Sequence, residues 1–95
     1  MDISTSGSTV TISGNIKSVS DFQTIKSTMD SVVANNSSVN LIIEDSISIT
    51  SSVIGYLNKL ILKDGIKLNT SVGNDDLISL LDDLNLSSVF NVSKK

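Results

Sequence analysis

The chain has 95 residues, of which 39% are hydrophobic and 18% charged, and it carries a net charge of −3 at pH 7 with no histidine and no cysteine. This length predicts one domain, residues 1–95, that buries roughly 60–70% of its unfolded surface. The negative charge and the lack of a basic cluster argue against nucleic-acid binding. Without histidine or cysteine, the usual zinc and copper ligands, nucleophilic thiols and imidazole bases are absent. We therefore expect no metal, no cofactor and no enzymatic activity.

The start of the chain predicts a cytoplasmic protein. Met1 to Thr5 contains neither the basic region nor the apolar run of a signal peptide. No apolar run in the sequence reaches the roughly 20 residues that a membrane-spanning helix needs. We therefore expect no membrane insertion.

Two short strands are predicted near the amino terminus, Ile3 to Thr5 and Val10 to Ile12, on either side of Gly7-Ser8. Gly14-Asn15 closes the second strand as a turn. Together the two strands predict an edge hairpin.

The first helix is predicted from the capping box Ser20-Asp21-Phe22-Gln23, in which serine and glutamine side chains satisfy free backbone donors. Asn35 to Ser38 is rich in turn-forming residues, so the helix should end near Ala34. Its buried positions recur at helical spacing and are Phe22, Ile25, Met29, Val32 and Val33.

A strand from Val39 to Ile43 follows, and its apolar triplet Leu41-Ile42-Ile43 predicts a strand covered on both faces. Thr50-Ser51-Ser52 then begins a second helix that runs from about Ser52 to Leu62. Gly65 suits the left-handed conformation that commonly closes a helix.

The last third of the chain predicts a short strand at Ile66 to Leu68, a helix that starts at Asp75-Asp76, and a final edge strand at Val89 to Val92. The buried stripe of that helix is predicted to be Leu77, Leu80, Leu81 and Leu84. The resulting order is ββαβαβαβ. It favours an α/β fold with a mixed β-sheet and helices packed mainly on one face.

Several segments resemble the STAS domain, which anti-sigma-factor antagonists share with the cytoplasmic parts of sulphate transporters. Thr50-Ser51-Ser52-Val53-Ile54-Gly55 is similar to the family's Asp-Ser-Ser-Gly-Leu-Gly segment, with threonine in place of the acid and valine in place of the first glycine. The other similar segments are Gly14-Asn15-Ile16, Leu41 to Asp45, Gly65 to Leu68 and Leu77 to Phe90. The resemblance covers nearly the whole chain and implies a single STAS-like domain.

This resemblance implies a partner-switching role in transcription regulation. The partner would be an anti-sigma factor, a related serine kinase or a regulatory ATPase, and phosphorylation of Ser51 would break the complex. Ser52 is the second candidate acceptor. A phosphoserine adds about −1.5 to −2 charges at pH 7, which a helix N-terminus tolerates and a close-fitting partner surface does not. The implied partner-binding residues are Asn15, Thr50, Ser51, Ser52, Val53 and Ile54.

Three other interpretations of the Thr50 to Val53 segment remain open. The segment caps a helix and does nothing more, a role worth about 1 kcal/mol. It packs, unmodified, at the interface of a phosphorylation-independent adaptor that binds an ATPase or assembles with itself. It holds phosphate in a small nucleotide-binding or hydrolytic enzyme, although the sequence has neither a Gly-x-x-x-x-Gly-Lys-Ser/Thr loop nor a Gly-x-Gly-x-x-Gly run.

Paired carboxylates form the remaining candidate sites. Asp75-Asp76 and Asp82-Asp83 are predicted to be solvated, because neighbours in sequence on a helix point in different directions. Glu44-Asp45, at the end of a strand, is assigned to the surface or to a partner contact.

Overall fold

A computed structural model describes residues 1–95 and contains five strands and three helices in the order ββαβαβαβ. This confirms the predicted α/β class and element order. The elements are β1 (Asp2–Ser6), β2 (Thr9–Ser13), α1 (Val19–Val33), β3 (Ser38–Ile43), α2 (Ser51–Leu62), β4 (Lys67–Val72), α3 (Asp75–Asp83) and β5 (Val92–Lys94).

All five strands form one mixed sheet in the order β1-β2-β3-β4-β5. β1 and β2 are the predicted edge hairpin, and they run antiparallel from Asp2 opposite Ser13 to Ser6 opposite Thr9. The two-residue turn between them uses Gly7 at a φ of +59°, a conformation that glycine adopts without strain. β2 to β5 are parallel to one another.

The helices cover one face of this sheet. Each of the three crossovers leads from one strand to the next strand along the sheet, so right-handed connections place every helix on the same side. Burial alternates along the strands accordingly. The covered face carries the buried side chains Val10, Ile12, Val39, Leu41, Ile43, Leu68, Thr70 and Val72.

The opposite face of the sheet is open and mostly polar. Thr11, Ile42 and Ser71 form one row across β2, β3 and β4, and all three are only half-buried. The prediction that β3 is covered on both faces is therefore wrong. Ile42 lies between Thr11 and Ser71 on the open face and does not belong to a second core.

The start of α1 differs from the prediction. Its N-cap is Ser18, whose Oγ accepts from the backbone N–H of Asp21 at 3.0 Å, while Asp21 Oδ2 accepts from the backbone N–H of Ser18 at 3.3 Å. A charged carboxylate is a stronger acceptor than the amide of Gln23, which accounts for the shift from Ser20. The helix ends at its C-cap Ala34, as predicted.

The buried stripe predicted for α3 is half right. Leu77 and Leu81 are buried, but Leu80 is 36% exposed and Leu84 47% exposed. α3 packs over β4 and β5 at the end of the sheet, so only the narrow line of residues four apart meets the core.

Two strand bounds also changed in the second half. β4 continues to Val72, well beyond the predicted Leu68, because it pairs with β3 along its whole length. The last strand begins at Val92, later than predicted, since the preceding residues form turns that bury Phe90 in the core. Gly65 has the predicted left-handed conformation, with a φ of +70°.

Candidate functional site

The segments that follow β2 and β3 lie side by side at the carboxyl ends of these strands, because the two strands are parallel and adjacent. The backbone N–H of Gly14 donates to Asp45 Oδ1 at 2.6 Å, and the backbone N–H of Ile47 donates to Asn15 Oδ1 at 3.1 Å. These bonds tie two segments that are about thirty residues apart in sequence. We call this pair of segments, residues 14–18 and 44–50, the paired loops.

A buried serine joins the paired loops beneath their surface. Ser46 is fully buried, and its Oγ accepts from the backbone N–H of Ile16 at 3.0 Å while donating to the carbonyl of Ser48 at 2.7 Å. Ser48 Oγ in turn donates to the carbonyl of Ile16 at 3.2 Å. Backbone groups that lie outside any helix or strand are thereby satisfied, which fixes the shape of the paired loops.

The second helix begins where the paired loops end. Thr50 is its N-cap, with extended backbone angles, and Thr50 Oγ1 accepts from the backbone N–H of Val53 at 3.3 Å. The side-chain cap is therefore made by Thr50 alone. Ser51 and Ser52 occupy the first turn and are exposed.

No carboxylate in the first turn of α2 offsets the partial positive charge at the N-terminus of this helix. It contains no acidic residue, in contrast to α1, where Asp21 accepts the backbone N–H of Lys17 at 3.0 Å. That hydrogen bond, with a further one from Ser18, lowers the pKa of Asp21. The partial positive charge at a helix N-terminus is thus offset by a carboxylate in α1 and left free in α2, beside Ser51.

Two large apolar side chains are exposed in the segments around the starts of these helices. Val19 is 74% exposed at the start of α1, and Ile47 is 55% exposed in the paired loops. A depression of about 150 Å³ lies between the starts of the two helices. Its lining residues are Lys17, Ser18, Val19, Phe22, Thr50 and Ser52.

The predicted site residues do not all lie on this surface. Asn15, Ser51 and Ser52 are exposed, and Ile54 is half-buried. Val53 is 1% exposed and belongs to the core, so the prediction that it contacts a partner is corrected.

Lys17, Val19 and Ile47 were not predicted as site residues. Val19 lies three residues before Phe22, a spacing that by itself predicts burial. Ile47 alternates with serines, as a half-buried strand residue would. No pattern in the sequence separates these two exposed residues from core residues: Val19 is exposed at the first position of α1, and Ile47 in the loop between β3 and α2.

Three acidic residues that follow β3 and β4 have partners in the structure. Asp45 holds Gly14, Glu44 forms an ion pair with Lys95 at 3.5 Å, and Asp75 pairs with Lys94 at 2.8 Å. The structure contains no group of three or more acidic, histidine or cysteine side chains positioned to hold a metal ion. None of its helices is both long and apolar enough to cross a membrane.

Comparison with known proteins gave no match, whether to a family model, to a curated protein or to a solved structure.

Proposed function

We propose that this chain is a cytoplasmic partner-switching regulator that binds an anti-sigma factor or a related serine kinase, with Ser51 as the phosphorylated switch. The observation that carries the proposal is the position of Ser51. Ser51 has an exposed hydroxyl at the positive N-terminus of α2, whose first turn contains no carboxylate. It lies at the same end of the sheet as the exposed side chains of Val19 and Ile47. The resemblance of Thr50 to Gly55 to the STAS serine segment supplies the class of partner.

Val19 and Ile47 are the hydrophobic contacts of this proposed interface. Removing such a side chain from water contributes roughly 1.5–3 kcal/mol when its burial is complete. The paired loops are held by internal hydrogen bonds before any partner arrives, so binding orders little additional backbone.

Phosphate on Ser51 has opposite effects on the free domain and on the complex. In the free domain it lies at the positive end of α2, where a negative charge contributes about 0.3–1 kcal/mol. In the complex, about −1.5 to −2 charges would lose their hydration beside apolar contacts. The free-energy cost of that dehydration exceeds the stabilisation from the helix N-terminus. Modification would therefore release the partner without unfolding the domain.

The test begins with affinity capture from the native cytoplasm, followed by intact-mass measurement of the recovered domain. A co-purifying protein and a mass increase of one phosphate on Ser51 support the proposal. With the captured partner in hand, Ser51→Asp should weaken binding at least about tenfold, which corresponds to about 1.4 kcal/mol.

Two control variants make the result specific. Ser51→Ala removes the acceptor without adding charge and should bind as the parent does. Ser31→Asp adds the same charge to an exposed serine in the last turn of α1, away from the paired loops, and should also bind normally. Equal binding by Ser51→Asp and Ser51→Ala, together with an unmodified mass, would leave the phosphorylation-independent adaptor as the function.

A further inference from the structure

The outer edge of β1 lacks the features that usually block an exposed strand. β1 pairs only with β2, and its register runs without a bulge. It contains no lysine, and the whole chain contains no proline. By contrast β5, at the other edge of the sheet, is three residues long and ends in Lys94. Short strands, bulges, charged side chains and proline are the usual means of preventing edge-to-edge pairing. β1 is five residues long and has neither a bulge nor a proline, and its one charged residue, Asp2, is at its first position.

Backbone hydrogen bonds identify which groups of β1 face outward. The carbonyl of Ile12 accepts from the backbone N–H of Glu44 at 2.9 Å, so the backbone groups of Ile12 point toward β3. Successive residues of a strand direct these groups to opposite sides. The residues before and after Ile12 therefore bond to β1, where the register places Ser4 and Asp2 opposite them.

Ile3 and Thr5 consequently direct their backbone N–H and C=O groups away from the sheet. No loop, cap or side-chain hydrogen bond in the structure satisfies them. The side chain of Ile3 does not point outward with its backbone groups. It lies opposite Ile12 and packs against the core from the covered face.

We propose that two copies of the chain associate through β1, antiparallel, with Ser4 of one copy opposite Ser4 of the other. This register places Ile3 opposite Thr5 in both directions, so every outward backbone group of these residues gains a partner. It also places Asp2 opposite Ser6, with the two Asp2 carboxylates at opposite ends of the interface. The strand is thus complementary to itself in hydrogen bonding and free of a facing pair of like charges.

This association extends the sheet through a two-fold axis perpendicular to it. The helices of both copies remain on the same face, while the strands of the two copies run in opposite directions. The paired loops of the two copies therefore lie at opposite ends of the dimer. This association does not depend on modification of Ser51.

The association should be weak and dependent on salt. A five-residue strand edge buries much less surface than the roughly 1,200 Å² of a stable interface, so we expect a weak dimer. Sedimentation equilibrium should therefore cover protein concentrations from about 10 µM to about 1 mM. Each copy carries a net charge of −3, so raising the ionic strength should strengthen the dimer by screening the repulsion.

Two measurements test this interface. In hydrogen exchange, protection of the Ile3 and Thr5 amides should rise with protein concentration, while the amides of Ser4 and Ser6 should be protected throughout by β2. In sedimentation, Thr5→Pro should abolish the dimer while leaving the monomer folded, since this substitution removes an outward donor and no bond to β2. Thr5→Val keeps the donor and should associate as the parent does.

A parent chain that stays monomeric at about 1 mM would overturn the proposal. So would amide protection at Ile3 and Thr5 that does not change with concentration. That exchange measurement uses the unmodified chain and decides the question even if Thr5→Pro fails to fold. A folded Thr5→Pro variant that dimerises as the parent does would move the interface elsewhere.

Discussion

Replacing Ser46 by alanine should cost this domain more than the loss of any other single hydroxyl. The substitution leaves the backbone N–H of Ile16 buried without an acceptor, at about 1–3 kcal/mol, and removes the donor to the Ser48 carbonyl, at about 0.5–1.5 kcal/mol. The expected loss is about 1.5–4.5 kcal/mol out of the roughly 5–15 kcal/mol available to a domain of this size. Urea unfolding should show a lower midpoint with an unchanged slope, and thermal unfolding a Tm lower by at least about 6 °C.

Two alanine variants calibrate this result. Ser48→Ala removes a longer hydrogen bond from a partly exposed hydroxyl and should cost about 0.5–1.5 kcal/mol. Ser51→Ala changes an exposed side chain and should stay within about 0.5 kcal/mol of the parent. If Ser46→Ala unfolds at the same urea concentration as Ser51→Ala, the buried hydroxyl does not hold the paired loops together.

Three further substitutions test the core, the close approach of the segments after β3 and β4, and the contact between α1 and α2. Thr70→Val should raise the free energy of unfolding, measured in urea, by about 0.5–2 kcal/mol, because the Thr70 hydroxyl is buried without a hydrogen-bond partner. A loss of stability would mean that this hydroxyl does have a partner. Gly73→Ala should destabilise the domain by more than about 2 kcal/mol in the same assay, since the added Cβ would overlap the carbonyl oxygen of Glu44, the residue after β3. Stability like the parent's would contradict this close approach. Hydrogen bonds from Lys26, and then from Tyr56, lower the pKa of Asp30 below its ordinary 3.8. Their contribution to the stability of the domain is therefore complete above pH 3.8 and is lost as the pH falls through the lower pKa of the folded state. Asp30→Asn should therefore lose less stability than the parent between about pH 5 and about pH 2, and identical pH profiles would refute this contribution.

Local patterns were sufficient to predict the number, type and order of the helices and strands, but not all of their bounds. The helical spacing of Ile25 and Met29 and the turn residues after Ala34 predicted α1 closely at its carboxyl end. Its amino end was misplaced because Ser18 and Ser20 are both followed, three residues later, by a side chain able to complete a capping box. The choice depends on a difference in acceptor strength that a residue pattern does not express.

The alternation of apolar residues was less informative where an element lies at the end of the sheet. Leu80 and Leu84 repeat at the spacing of a buried stripe, yet both are exposed because α3 covers only the last two strands. Phe90 has the opposite outcome: it was predicted in a strand, but a turn directs it into the core. Spacing indicates which residues share a side of an element, and only packing determines how much of that side is covered.

Within the candidate site, the sequence was enough to predict the start of α2 and the hydroxyl cluster of Thr50, Ser51 and Ser52. It could not separate Val53, which faces the core, from the exposed serines beside it. Nor did it indicate that Ser46, a small polar residue in a loop, would be fully buried.

The sequence by itself determined the order of elements, because hydrophobic periodicity and helix caps act over a few neighbouring residues. Only the tertiary structure decided that segments about thirty residues apart meet at one end of the sheet, with Gly14 bound to Asp45 and Ile16 to Ser46. Those bonds form because parallel neighbouring strands bring their following loops together, and the buried backbone N–H of Ile16 needs an acceptor there. The surroundings of Ser51 are therefore set by contacts that no local pattern encodes.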